Sequence, residues 1–188
     1  MQIRSFIAGF FYLASLAYTP ASFSETLLEV GIHLGGDELI THNYTNGAKD
    51  SLKAGEIFSL SIGGTKSFTP KIEGQLSFGV KSDFVHSTEK EVDWVRYPLN
   101  SILFYRADKY RIGLGLTVHF SPKLKGTGVA SNISESFKDA IGGIVEVDRR
   151  ISKIYLWGLR YTNISYESNQ GGRKVSGNSL GILLIAIL

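Results

Sequence analysis

The chain has 188 residues, a formal charge of +3 and no cysteine. This small charge excludes the concentrated basic surface of a nucleic-acid-binding protein, and the lack of cysteine excludes disulfides and thiolate zinc sites. We therefore expect one domain held together by its own packing, with no nucleic-acid partner and no cofactor.

The first 24 residues have the order of a secretory signal peptide. Arg4 precedes an apolar run over 6–18, and the small residues Ser22 and Ser24 follow it. The run is shorter than the roughly 20 residues that a helix needs to cross a bilayer. We expect residues 1–24 to be cleaved after export and residues 25–188 to form the folded domain, with a formal charge of about +2 once Arg4 is lost.

Strand-like alternation dominates the rest of the chain, and no helical period competes with it. Eight segments carry it, at 26–40, 53–68, 71–85, 94–106, 110–121, 137–149, 153–166 and 175–188. Their connections alternate between short breaks, near 69–70, 107–109 and 150–152, and long polar stretches, at 41–51, 86–93, 122–136 and 167–174. Such sorting is typical of an all-β, eight-stranded antiparallel up-and-down transmembrane barrel, with short turns at one end and longer loops at the other.

The two faces of each segment differ in the same way. In 110–121, Ile112 and Leu114 lie on one face. Arg111, His119 and Ser121 lie on the other. We expect the apolar faces to contact lipid and the opposite faces to line the lumen. The charged residues expected in the lumen are Glu29, Asp37, Glu73, Lys81, Asp83, Arg96, Arg106, Arg111, Glu146, Asp148 and Arg160. Because acids and bases occur in similar numbers, they can pair and fill a lumen this narrow.

A secreted sandwich or lipocalin-like barrel is the soluble alternative. In that fold the charged faces would contact solvent and the apolar faces would form the core. The signal peptide, the sorted connections and the apolar faces on every segment favour the membrane interpretation, because closure leaves no unpaired backbone amide in lipid.

The whole mature chain resembles the small eight-stranded outer-membrane barrels of Gram-negative bacteria. Residues 156–168, a polar loop and 175–188 look like the last hairpin of such proteins, although this chain ends on Leu188 where members usually have an aromatic residue. The resemblance implies a monomer in the bacterial outer membrane, with both termini in the periplasm and a structural or surface-interaction role. Its expected partners are outer-membrane lipid and lipopolysaccharide, whose phosphates Lys123, Lys125 and Lys138 could contact.

Two other functions stay open. One is the binding or passage of a small hydrophobic ligand through the barrel. The other is lipid A acyl-ester hydrolysis, since His119, Ser121 and the downstream Glu135 resemble the spacing of lipid A deacylases. In this chain Pro122 follows the serine where that family prefers asparagine. We expect no enzyme, and the four histidines are too scattered to predict a metal site.

Overall fold

The computed structural model describes Phe23 and residues 25–43, 49–55, 57–86, 90–128 and 131–188. The expected signal peptide therefore lies outside the described residues, apart from Phe23. The described residues form no helix that is long and apolar enough to cross a membrane.

Thirteen strands are formed by the described residues. They are β1 (Glu25–Leu34), β2 (Glu38–Asn43), β3 (Lys49–Lys53), β4 (Ile57–Ser67), β5 (Ile72–His86), β6 (Lys90–Ala107), β7 (Tyr110–Gly128), β8 (Ser134–Ser136), β9 (Ala140–Arg150), β10 (Tyr155–Asn163), β11 (Ser165–Glu167), β12 (Lys174–Ser176) and β13 (Ser179–Ile187).

Eight of these strands close an antiparallel barrel. The order around it is β1, β4, β5, β6, β7, β9, β10 and β13, and β13 pairs again with β1. The short turns at 68–71, 108–109 and 151–154 lie at one end, where the backbones of Thr26 and Leu188 also bond to each other. The expected eight-stranded up-and-down barrel is confirmed.

A collar of short strands continues the barrel at its long-connection end. The hairpin β2–β3 extends β1 and β4, the hairpin β11–β12 extends β10 and β13, and β8 pairs with the far part of β7. The isolated bridge between Phe137 and Ser168 joins the segment after β8 to the segment after β11. We use "collar" for β2, β3, β8, β11 and β12 with the adjoining ends of β6 and β7.

The expected segment bounds are wrong at this end. Residues 90–93 and 122–128 were expected in loops, but they belong to β6 and β7, which stay paired from Ala107↔Tyr110 to Lys90↔Gly128. The physical reason is that the apolar and polar faces exchange places here: Val92 and Leu124 point inward, whereas Asp93 and Lys125 lie on the outer face. A barrel strand that extends into water has apolar residues inside and polar residues outside, which is the reverse of a strand in lipid. The polar residues in 90–93 and 122–128 therefore belong to strands and did not indicate loops.

A β-bulge produces the exchange in β7, whereas β6 keeps its even-numbered residues inward and changes only in residue type. Between the pairs Tyr97↔Phe120 and Val95↔Lys123, β7 has Ser121 and Pro122 where β6 has Arg96 alone. Ser121 adopts a positive φ of 46°. The inward residues of β7 are therefore odd-numbered up to His119 and even-numbered from Pro122, so Lys123 and Lys125 point outward.

The outer surface of the barrel is an apolar belt. On β7 the outward residues run from Tyr110 to Phe120, and Leu114 between them is 67% exposed. Ten steps of about 3.3 Å along a strand tilted by about 40° give a belt about 25 Å high. That height matches the apolar band with which transmembrane barrels contact lipid.

Candidate functional site in the barrel lumen

The lumen near the short turns is filled by a cluster around Arg111. Its Nε donates to Asp148 at 2.6 Å, one terminal nitrogen donates to Glu73 at 2.5 Å, and the other donates to Gln75 at 2.9 Å. The guanidinium also lies 4.0 Å from the ring centroid of Phe104. All these side chains are buried, so Arg111 makes three charge-assisted hydrogen bonds inside the lumen.

A second cluster forms around Arg160 in the middle of the lumen. Its two terminal nitrogens donate to the two carboxylate oxygens of Glu29, at 2.6 and 2.7 Å, and its Nε donates to Glu146 at 2.5 Å. Glu29 and Arg160 are 131 residues apart in the chain, but their strands β1 and β10 both pair with β13, so the bidentate pair joins strands on either side of β13. Paired charges of this kind can exist inside a barrel, whereas an isolated buried charge would be very costly.

Glycines opposite the charges create the space that these clusters occupy. Gly158 pairs with Asp148 across β9 and β10, and a Cβ there would lie 2.0 Å from the aspartate oxygen. Gly181 pairs with His33 across β1 and β13, and a Cβ there would lie 2.3 Å from the imidazole. At these two places a glycine thus leaves room for the large polar side chain on the paired strand.

Two further hydrogen bonds and a small cavity lie above the Arg160 cluster. His33 Nε2 is 2.8 Å from Ser59 Oγ, and Lys81 donates to Ser179 at 3.1 Å. His33, Ser59 and Lys81 line a cavity of about 20 Å³, together with Glu29, Arg160 and others. A polar cavity of that volume holds about one water molecule, and it is far too small for an acyl chain.

An apolar cap closes the lumen inside the collar. Trp94, which is fully buried, packs edge-to-face against Phe137 and Tyr166 with ring centroids 5.1 and 5.3 Å away. Its indole nitrogen donates to the carbonyl of Ala54, which links β6 to the residue after β3. The other members of the cap are Leu39, Leu52, Val92, Leu124, Ala140, Ile164 and Val175. A dry, packed layer therefore lies between the ionic lumen and the collar surface.

The charged residues expected in the lumen divide into three groups. Glu29, Glu73, Arg111, Glu146, Asp148 and Arg160 form the two buried clusters. Lys81, Asp83 and Arg96 are buried nearer the cap, where the guanidinium of Arg96 lies 5.1 Å from the Trp94 ring centroid.

The remaining two lie at the ends of the barrel. Arg106 is 38% exposed at the short-turn end and forms an ion pair with Glu73 at 3.3 Å. The placement of Asp37 in the lumen was wrong, because β1 ends at Leu34 and Asp37 is exposed in the collar. There its carboxylate accepts a hydrogen bond from the backbone N–H of Ser176 at 2.7 Å.

The candidate hydrolase residues are separated. His119 is buried, with Nδ1 2.7 Å from the Tyr166 hydroxyl, whereas Ser121 is exposed and its N–H donates to Asp139. The expectation that Ser121 shares the inward face of His119 is wrong because the bulge turns it outward. Glu135 lies 3.9 Å from Arg173, and within the described ranges it forms no hydrogen bond with His119.

Sequence reasoning missed the cap and the role of Tyr166 as the partner of His119. Trp94 and Val92 have even numbers, like the inward Arg96, so the alternation along β6 could have predicted that they point inward. Tyr166 carried no such signal, because it lies three residues after the end of β10 in a separate short strand.

The collar surface carries charges of both signs. Lys138 is ion-paired with Glu167, and this hydrogen bond lowers the pKa of the glutamate below its usual range. Lys123 and Lys125 are exposed on the outer face of β7. In the part of the chain that the structure describes, no group of three or more histidine, aspartate or glutamate side chains could hold a metal ion.

No protein-family model and no curated protein matches this chain. Solved structures do. The Neisserial surface protein A is 10% identical with a TM-score of 0.53, covering 86% of this chain and 95% of that protein. The attachment invasion locus protein of Yersinia pestis is 16% identical with a TM-score of 0.51, covering 87% and 97%. Its structure in complex with the heparin analogue sucrose octasulfate matches equally well, at 14% identity and a TM-score of 0.51. The chain therefore has the fold of the small eight-stranded outer-membrane barrels.

Proposed function

We propose that this protein crosses the bacterial outer membrane as a monomeric barrel with a closed lumen, and that it acts through its collar in a structural or surface-interaction role. The apolar belt supports the membrane placement, because exposed aliphatic side chains such as Leu114 and Ile182 cover the outside of a barrel that has polar side chains inside. A soluble barrel has the opposite arrangement.

One observation supports the proposal that the lumen is closed. The Arg111 and Arg160 clusters fill it in two layers, and the apolar cap covers them. Together they leave a cavity of about 20 Å³ in the upper lumen, lined mainly by polar residues. Neither steady ion flow nor passage of an acyl chain is compatible with that packing. The role is accordingly non-catalytic and is exercised at the surface.

The difference in connection length between the two ends of the barrel suggests its orientation in the membrane. Short turns face the periplasm in outer-membrane barrels and long connections face outward, so the collar would lie outside the cell. Residues 1–24 would act as the cleaved export signal. Lys123 and Lys125, exposed just above the belt, would contact phosphates of lipopolysaccharide.

Planar-bilayer recording tests the closed lumen. Purified protein is first checked for folding by electrophoresis in detergent, where the boiled and unboiled forms of a membrane barrel migrate differently. We expect the folded wild type, and the exposed-residue control Arg149→Gln, to give no stable open-channel steps. Steady steps from the folded wild type that disappear when Arg111 or Arg160 is substituted would show that these charges line a pore, and would overturn the proposal.

A further inference from the structure

We propose that the short-turn end of the barrel binds the phosphate head groups of anionic phospholipids in the leaflet that surrounds it. This inference rests on the proposed function, which places that end in the phospholipid leaflet facing the periplasm.

The charged side chains at the short-turn end are mostly basic. Arg106 is paired with Glu73, but six further cationic residues surround this end: Lys66, Lys71, Lys109, Arg149, Arg150 and Lys153. Within the described ranges, the exposed acidic side chains at this end are Glu25 and Asp108. The described side chains form no ion pair with Lys71, Lys109 or Lys153, which leaves their ammonium groups available.

The collar end shows that the excess is not a general property of the chain. There, basic residues are matched in register by acids: Glu38 pairs with Lys53, Asp93 with Lys125, and Glu167 with Lys174. Lys138 and Arg173 also have carboxylate partners, in Glu167 and Glu135. Among the residues that the structure describes, the excess of basic side chains therefore lies at the short-turn end.

Apolar side chains beside the cations place this end at a membrane surface. Phe68 and Ile151, at the tips of two turns, are 60% and 62% exposed. Tyr110 is half exposed, and the Arg149 guanidinium lies 6.0 Å from its ring centroid. Aromatic rings and cations together are typical of the interface where lipid head groups meet the hydrocarbon.

Phosphate is the chemical group that this arrangement fits. Lysine and arginine contact phosphate oxygens as point charges and bidentate donors, and each basic residue near an anionic membrane surface contributes about 1 kcal/mol, or about fivefold in affinity. Because these contributions multiply, removing three of the cations should lower the preference for an anionic lipid by about a hundredfold at low salt.

The chain contains its own probe for the test. It has two tryptophans. Trp157 is 38% exposed on the belt, three residues from the 151–154 turn, whereas Trp94 is fully buried in the cap at the other end. Lipids with brominated acyl chains quench tryptophan on contact, so quenching will report the lipids beside Trp157.

The experiment uses the full mature chain folded into phosphatidylcholine vesicles that contain one-fifth dibrominated lipid, either phosphatidylglycerol or phosphatidylcholine. The test variant is Lys71→Gln, Lys109→Gln and Lys153→Gln combined. The matched control, with the same change in charge, combines Lys53→Gln, Arg173→Gln and Lys174→Gln, which lie in the collar. Folding of each sample is verified by its shift on boiling, so a protein that does not insert counts against the proposed function and is separated from a failure of lipid selection.

We expect brominated phosphatidylglycerol to quench the wild type and the control more strongly than brominated phosphatidylcholine does. We also expect the difference to shrink between 50 and 500 mM salt as screening increases, and to be lost in the short-turn variant. Equal quenching by the two lipids in the folded wild type would overturn the inference, and so would an equal loss of selectivity in the control variant.

Discussion

Arginine is the residue on which the lumen depends. Arg111 and Arg160 each satisfy carboxylates from two or more strands, which a lysine with a single point charge could not do with the same fork geometry. The sequence could place both arginines on inward faces by parity alone. It could not say which carboxylate pairs with which arginine, because Glu29 and Arg160 lie on strands distant in the chain and their contact depends on barrel closure.

We predict that Arg160→Met destabilises the barrel by about 3–5 kcal/mol, because it leaves the Glu29 and Glu146 carboxylates buried without their partner. Adding Glu29→Met and Glu146→Leu should restore most of the loss, since removing a whole buried ionic cluster is often nearly neutral. The measurement is reversible denaturant unfolding in detergent or lipid. A single substitution no more costly than the exposed control Arg149→Met, or a triple variant less stable than the single one, would contradict this.

At the scale of the strand, the exchange of faces marks where the barrel leaves the membrane. Alternation predicted the belt portions of β6 and β7 correctly, since inside and outside follow a period of two. It failed from Ser121 onward, because a bulge there shifts the parity by one residue. Pro122, which has no N–H to donate to a ladder, was the available signal for that bulge. The cap escaped prediction because Trp94 and Leu124 become neighbours only when both strands continue past the belt.

We predict that Trp94→Ala loosens the collar without opening the belt. The truncation removes its ring contacts with Phe137 and Tyr166 and its bond to Ala54, a loss of about 3–5 kcal/mol for a buried tryptophan. Hydrogen exchange should rise at 90–95, 122–126 and 164–166 and stay slow in the belt strands. The lipid-facing control Trp157→Ala should leave collar exchange unchanged, and faster exchange throughout the barrel in Trp94→Ala would show that cap and belt unfold as one unit.

For the whole molecule, the proposed function depends on whether the apolar outer face of the barrel contacts lipid. Strand number, antiparallel order and the sorted turns could be predicted from the sequence because each follows from local alternation and turn spacing. The collar, the cap and the exposed position of Asp37 could not, since they depend on how the strand extensions pack against one another above the belt.

Spin-label accessibility tests that central claim most directly, and the absence of cysteine allows single labels without background. Leu114→Cys and Lys125→Cys, both on the outer face of β7 but on opposite sides of the bulge, are labelled in vesicles. We predict that the label at 114 is accessible to oxygen and shielded from a water-soluble nickel complex, and that the label at 125 is accessible to nickel. A label at 114 that collides freely with the nickel complex would show that the apolar belt does not face lipid and would contradict the account.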